Sequence, residues 1–379
     1  MQRSVVLAFV LLAACGDDTH VDPGPADAAP GTMTQQALVV SGDFDMTGLM
    51  SKLDLSTMQM TQNIGGIGAV SGDPVIRHIG SRIYVVNRSG GSSITVFDAN
   101  TLTFLDQYGT GGNSNPQDVA VVGTSLYVPA LGTAGVVKID TVTLAIKTID
   151  LAPLDQDGHP DCVSAYAVGT KVFVACGTLD EFFSPRGPGS VVVLDATTDE
   201  VTTTITLPTP NPYNFIVQSP ESSVFGGDLL IPLLPSFTDY STGCIARIST
   251  GAAPAATCAT GLTNAEVGGT VVHMDVAHDG SMLWMAVGTL QPDFSNPTGS
   301  LKGFDLESGS LWDAPVSPST QMIQDLAACP DGSVVVADGT FGESGLRVYK
   351  ETAEVTSAPI AIGLPPTFGN AVVCYTAVQ

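Results

Sequence analysis

The chain has 379 residues, 37 acidic against 13 basic side chains and a net charge of −24, with only 13% of its residues charged. Phosphate contacts need clustered Lys and Arg, so this balance excludes a nucleic-acid partner. Abundant Gly and Pro, Thr- and Val-rich runs and few segments of helical period point to short strands and tight turns, and the length suffices for one large core.

Residues 1–15 read as an export signal: Arg3 supplies a positive start, residues 5–12 form a short apolar run, and Leu12-Ala13-Ala14-Cys15 follows. That tetrapeptide resembles a bacterial lipobox, which implies that the Cys15 thiol is lipidated and becomes the mature N-terminus. An ordinary signal peptide with an incidental Cys is the alternative. Each buried CH₂ contributes ~0.8 kcal/mol, so two or three acyl chains would anchor the protein to a membrane. Gly16, and not Asp, follows the Cys, which implies the bacterial outer membrane, with the molecule facing the periplasm or the cell surface. Residues 16–36, rich in Asp, Pro, Ala and Gly, read as a disordered tether, and residues 37–379 as the folded domain. No later apolar run is long enough to span a bilayer.

From there a phrase of strand, Asp, polar turn and strand returns. It ends at Asp54, Asp98, Asp140, Asp195 and Asp305, at intervals of 44, 42, 55 and 110 residues, the last being two units of 55. A period of roughly 40–55 residues in an all-strand chain predicts a β-propeller with one blade per repeat. The second strand of each blade shows as an apolar run beginning at Leu38, Ile83, Leu126, Val172, Leu229, Leu283 and Val334, which makes seven blades. The first copy lacks an inner strand ahead of Leu38, and the run Asn370-Ala-Val-Val-Cys-Tyr375 resembles the inner-strand run that begins at Asp118. The fold expected is therefore all-β: a seven-bladed β-propeller closed by a C-terminal strand that becomes the innermost strand of the first blade.

The Ile83-Tyr-Val-Val and Leu126-Tyr-Val strands with their Asp turns resemble the YVTN-type (YncE-like) propellers of bacterial surface and periplasmic proteins, over residues 37–379. The resemblance implies the fold and says little of function. The fourth to sixth blades are longer than the consensus, and the fifth has Arg247-Ile-Ser249 where the Asp is expected.

Six cysteines remain after Cys15. Cys162 and Cys176 are equidistant from Gly169, and Cys244 and Cys258 from Gly251, as expected of partners facing each other across a hairpin. Cys329 and Cys374 fall on the inner strands of the last blade and of the closing strand, where a bond would pin the ring. No Cys-x-x-Cys is present, so three structural disulfides and an oxidising compartment are expected, with metal binding the rival reading.

Two features converge on one face of such a ring. Inner strands begin with Asx residues, Asp118, Asn214, Asp275, Asp325 and Asn370, whose oxygens could hold Ca²⁺ at the channel mouth or cap neighbouring backbone. The loops between second and third strands are long and alike, carrying Phe182, Phe183 and Arg186, then Phe237 and Tyr240, Phe294, and Phe341. These side chains either form a binding rim or plug gaps between blades. Asp155, Asp157 and Asp161 make a weak cation loop on that face, and His273 with His278 makes a poor zinc pair because the two fall on opposite strand faces.

No Gly-x-Ser-x-Gly elbow or phosphate loop occurs. A non-catalytic binding protein, taking a protein, glycan or peptide, is the function expected. The alternative is a Ca²⁺-dependent lactone or ester hydrolase, because the acidic mouth is similar to that of gluconolactonase/regucalcin-like propellers. That likeness implies metal-binding roles for Asp118, Asn214, Asp275 and Asp325, although the early Glu of those chains has no counterpart. Calcium is thus the one cofactor the sequence raises. A quinone-cofactor dehydrogenase would need Trp-rich repeats, and only Trp284 and Trp312 are present.

Overall fold

A computed structural model describes residues 33–378, apart from residues 67, 181, 183, 236–240, 290–297, 313–315 and 317–321. The signal segment, Cys15 and most of the expected tether lie outside the described residues. The described residues form seven four-stranded antiparallel sheets arranged as a ring, a seven-bladed β-propeller. Blade 1 holds Val372–Val378, Met33–Gly42, Gly48–Asp54 and Gln59–Thr61, from the channel outward. Blade 2 holds Pro74–Ile79, Arg82–Asn87, Ser93–Asp98 and Phe104–Gly109; blade 3 Ala120–Val122, Ser125–Pro129, Gly135–Asp140 and Ile146–Asp150. Blade 4 holds Cys162–Val168, Lys171–Cys176, Ser190–Asp195 and Glu200–Thr206; blade 5 Val217–Gln218, Leu229–Leu233, Cys244–Ile248 and Ala256–Thr263. Blade 6 holds Thr270–Val276, Met282–Thr289, Thr298–Asp305 and Ser310–Leu311; blade 7 Ile323–Ala328, Ser333–Asp338, Gly345–Lys350 and Ala353–Glu354.

All seven apolar runs picked out in the sequence are second strands. They are apolar without interruption because each blade is sandwiched between two others, so successive side chains enter different cores. In blade 1, Leu38 and Val40 pack with Ile76, Ile83 and Val85 of blade 2. Ala37 and Val39 turn the other way, onto Ala327, Val335 and Val348 of blade 7. One such apolar cluster fills each of the seven junctions around the ring.

The C-terminal strand closes the ring as expected: Val372–Val378 pairs antiparallel with Met33–Gly42, with Val373 opposite Leu38 and Val378 opposite Met33. The first strand therefore starts four residues earlier than the expected boundary at residue 37. Gln35 and Gln36 belong to the sheet because Thr376 and Tyr375 stand opposite them, and buried Gln36 donates through Nε2 to the Tyr375 hydroxyl at 2.6 Å.

The three disulfides are those expected, Cys162–Cys176, Cys244–Cys258 and Cys329–Cys374. Cys162 and Cys176 are directly opposed on the first two strands of blade 4. Cys258 instead faces Ala246, two residues from Cys244, so the second bond runs diagonally beside an irregularity between the outer two strands of blade 5. The third joins blade 7 to the closing strand.

The recurring Asp has a local cause. It ends the third strand, and its side chain accepts from backbone amides two and three residues on: Ser56 and Thr57 for Asp54, Asn100 and Thr101 for Asp98, Val142 and Thr143 for Asp140, Glu307 and Ser308 for Asp305. Asx side chains that bond their own backbone in this way build the turn into the fourth strand. In blade 5 the Ser249 hydroxyl does the same work, accepting from the Ala255 amide at 2.9 Å. The Ser56 hydroxyl on Asp54, the Thr197 hydroxyl and amide on Asp195, and these amide bonds favour the ionised form, which lowers the Asp54, Asp98, Asp195 and Asp305 carboxyls and brings Asp140 down to about 2. A lowered folded-state value gives stability that is complete above the unfolded carboxyl value near ~4 and is lost as pH falls through the folded value. Asp140→Asn keeps the acceptor but not the charge, so urea unfolding of this variant should show a shallower loss of stability than wild type on acidification from pH 4 towards about 2. Identical slopes would count against the turn carboxylates as acid-sensitive groups.

Candidate functional site

The Asx residues at the channel each reach the next blade. Asp118, fully buried, receives Arg77 of blade 2 in a two-point pair at 2.8 and 2.7 Å, then accepts from the Ser164 hydroxyl and the Ala165 amide of blade 4 at 2.8 and 2.9 Å. Ser164 accepts in turn from the Ile216 amide ahead of blade 5 at 2.9 Å. Asn214 donates to the Val272 carbonyl of blade 6 at 2.6 Å, and His273 Nε2 lies 2.9 Å from Asp325 Oδ1 of blade 7. Asp325 Oδ2 accepts from the Val372 amide of the closing strand at 2.7 Å, and Asn370 points Nδ2 at the Ile76 carbonyl of blade 2 at 3.4 Å. The circuit passes every blade junction.

The sequence placed Asp275 in this set one step wrongly. His273 pairs with Ala286 as Asp325 pairs with Ala337, each opposite the fourth residue of the buried run that starts at Leu283 or Val334. His273 therefore holds the position that Asp325 and Asp118 hold in their blades, and Asp275 lies two residues further along. The register is hidden in the sequence because the inner strand skips a residue between Cys162 and Ser164, Val271 and His273, and Ile323 and Asp325. A bulge immediately before each of these residues re-aims its side chain. Asp275 makes a comparable bond, accepting from the Ala328 amide at 2.9 Å, and burial pushes its carboxyl up.

These residues do not fit a calcium shell, which takes 6–8 oxygens. Both Asp118 oxygens are held by Arg77 and by donors of blade 4, and Asp275 and Asp325 each give an oxygen to a backbone amide. Among the described residues no group of three or more His, Cys, Asp or Glu side chains is arranged to hold a metal ion.

A cavity of about 300 Å³ occupies the channel towards the ends of the inner strands, lined by Arg77, His78, His273, Asp275 and His278 among others. The sequence reading missed Arg77 and His78; a basic pair at the end of an inner strand, in a chain with few basic residues, was the available signal. Arg77 lies 3.8 Å over the Phe215 ring, so one guanidinium ties blades 2 and 3 to the approach of blade 5. His78 stacks on Tyr375 at 4.4 Å, and burial followed by the nearby His278 lowers its imidazole. His278 is exposed and His273 buried, yet both line the cavity, because His278 lies in the turn beyond Val276 and not on the strand.

On the loops between second and third strands, Phe182 is 77% exposed and Phe341 fully exposed, so neither plugs a gap between blades. Phe183, Phe237, Tyr240 and Phe294 lie outside the described residues. Arg186 has an internal role: its guanidinium donates to the Leu179 carbonyl and pairs with Asp157, with Asp155 at 4.0 Å. The three-carboxylate loop thus carries its own cation in Arg186, and Asp161 accepts from the Leu179 amide at 2.8 Å. The sequence reading missed the matching loop of blade 1, where Phe44 is half-exposed and Met46 is 82% exposed.

No family model and no curated protein matches the chain. Solved structures match as propellers. Apo AztD from Citrobacter koseri aligns with TM-score 0.55 at 12% identity, covering 90% of this chain and 98% of that one. A quinonprotein alcohol dehydrogenase-like protein from Bacteroides thetaiotaomicron aligns with TM-score 0.56 at 12% identity, covering 90% and 78%. Virginiamycin B lyase from Staphylococcus aureus gives 0.52 at 12%, covering 76% and 85%. At these identities the likeness shows the fold alone.

Asp118→Ala removes the partner of a buried guanidinium and of two blade-4 donors. Denaturant unfolding should show a loss of about 3–5 kcal/mol. Asp275→Ala strands backbone amides but no cation, and its loss should be smaller, about 1–3 kcal/mol. Equal losses would refute the ranking.

Proposed function

We propose that this chain is a lipid-anchored, extracytoplasmic β-propeller of the YVTN type acting as a non-catalytic binding protein for a protein, glycan or peptide. The observation that carries this reading is the presentation of apolar tips on loops closed by their own carboxylates. In blade 4, Asp180 Oδ1 accepts from the Phe182 and Ser184 amides at 2.8 and 2.9 Å, and the Asp180 amide returns to the Ser184 carbonyl at 2.9 Å. In blade 1, Asp43 Oδ1 accepts from the Asp45 and Thr47 amides at 2.9 Å, and the Asp43 amide returns to the Thr47 carbonyl at 3.0 Å. The same set of three bonds, made twice, goes with large apolar side chains held in water at Phe44, Met46 and Phe182, where they lose burial and gain nothing for folding.

The export signal and Cys15 support an extracytoplasmic, outer-membrane address, and three disulfides are consistent with an oxidising compartment. A calcium-dependent hydrolase gains no support from the inner-strand carboxylates, which are engaged by protein donors.

Three measurements test the reading. Metabolic labelling with a fatty acid should mark the full chain and not Cys15→Ala; an unlabelled wild-type chain in the bacterial envelope would remove the anchor. On peptide and glycan arrays, ligands of the full chain should weaken by at least about tenfold in Phe182→Ser combined with Phe341→Ser, at unchanged melting temperature. Ligands bound equally well by the double variant would move the site off the rim. Lactone hydrolysis that Asp118→Asn abolishes without unfolding the protein would replace binding with catalysis.

A further inference from the structure

We infer that the blade 1 loop at Phe44, with Phe368 beside it, is a docking site for a polypeptide segment that presents an arginine next to an apolar residue. This rests on the binding-rim reading and specifies one of its partners. The patch is contiguous: the Phe44 and Phe368 rings lie 5.9 Å apart, Phe368 is 45% exposed, and Met46 stands two residues from Phe44 on the same loop.

The loop is held to show these side chains. Phe44 sits at φ +61, a left-handed conformation that Gly or Asn adopts without strain and a bulky residue does not. Met58, Leu102 and Leu144 take the same conformation in turns after third strands, so at Phe44 it marks a backbone held by its surroundings and not a function by itself. The Phe44 amide donates to the Gly72 carbonyl at 2.8 Å. The seat is close backbone on backbone: a Cβ added to Gly42 would lie 2.0 Å from the Gly72 oxygen, one on Gly48 1.8 Å from the Ser71 oxygen, and one on Gly72 2.5 Å from the Asp45 carbonyl carbon. Rigidity of this kind lowers the ordering cost of a partner.

Charge selects the partner. Asp43 and Asp45 flank Phe44, and among the described residues neither pairs with a Lys or Arg, whereas neighbouring Asp73 is taken by Arg88. Elsewhere the chain twice sets a guanidinium against a Phe ring and an Asp together. Arg77 pairs with Asp118 and stacks at 3.8 Å over Phe215. Arg247 pairs with Asp228 at 2.6 Å, with its guanidinium 5.8 Å from the Phe225 ring centre. Phe44 and Asp45 put the same two kinds of group on adjacent residues of one surface loop, where among the described residues no arginine of the chain pairs with Asp45. Guanidinium suits it because it stacks on aromatic faces and bonds carboxylates in a plane, and Met46 and Phe368 offer apolar contact alongside.

The test is selection of a random twelve-residue display library on the immobilised full chain at low ionic strength, with selected peptides then measured in solution. Peptides carrying Arg beside Leu, Trp or Phe should dominate. Asp45→Asn and Phe44→Gly should each weaken them by about tenfold or more while leaving the melting temperature unchanged, and Arg→citrulline peptides should lose a similar factor. Phe44→Gly relieves the left-handed strain, so lost binding there cannot be blamed on unfolding. Binding should also weaken in high salt. Selected peptides that are neutral or acidic, or that bind Phe44→Gly as tightly as wild type, overturn the inference. If they depend on Phe182 and Phe341 instead, the rim reading stands and this partner fails; if no peptide depends on any of these residues, the inference fails and the rim reading loses its support from peptides.

Discussion

No blade of this protein can bury both faces of its own sheet. Each four-stranded sheet has an apolar surface on either side, and both are removed from water only when neighbours pack against them, so stability belongs to the ring and not to the blade. Seven apolar clusters at seven junctions are the direct expression of that constraint. Closure through the last strand, the Cys329–Cys374 bond and the polar circuit around the channel all serve the same requirement, because one open junction would expose two faces and two edges.

The polar circuit explains why charged and amide side chains stand in the most buried part of the molecule. Inner strands converge on the axis, and their channel-side backbone groups have no further strand to pair with. Asp118, Ser164, Asn214, Asp325 and Asn370 give those groups partners from the adjacent blade, and His273 faces the Asp325 carboxylate. A buried carboxylate is tolerable only when so satisfied. Residues that look like metal ligands in the sequence are therefore consumed by architecture, which leaves the loops as the part of the chain free to vary with function.

That division matches what the loops display. The turns between third and fourth strands use their aspartates to bend the chain, and in blade 3 that turn also leaves Val142 and Leu144 exposed. The loops between second and third strands use aspartates in a similar bonding pattern, but to hold Phe44, Met46 and Phe182 out in water. One chemical device, a carboxylate accepting from its own following amides, thus builds the tight turns on one side of the ring and the longer loops of blades 1 and 4 on the other. The chain carries a net charge of −24, which biases what the rim can approach.

The sequence by itself determined the features that arise from local pattern. Uninterrupted apolar runs marked the seven second strands because each is buried on both faces; the repeated Asp marked the turn after strand three because that turn needs its acceptor; the unpaired first copy and the terminal run from Asn370 to Tyr375 marked the closure. The cysteine pairs followed from strand position, although the diagonal path of Cys244–Cys258 did not. What only the tertiary structure decided was which side chain meets which across blades. Arg77 and Asp118 are 41 residues apart, Asp325 and the Val372 amide 47, and Asn370 and Ile76 294, and nothing in local spacing encodes those meetings. A one-residue bulge before Ser164, His273 and Asp325 changes where each side chain points without altering composition or period. The exposed Phe44 was equally hidden, because whether an aromatic residue in a loop plugs a gap or faces water depends on the space its neighbours leave, and that space exists only once the ring is closed.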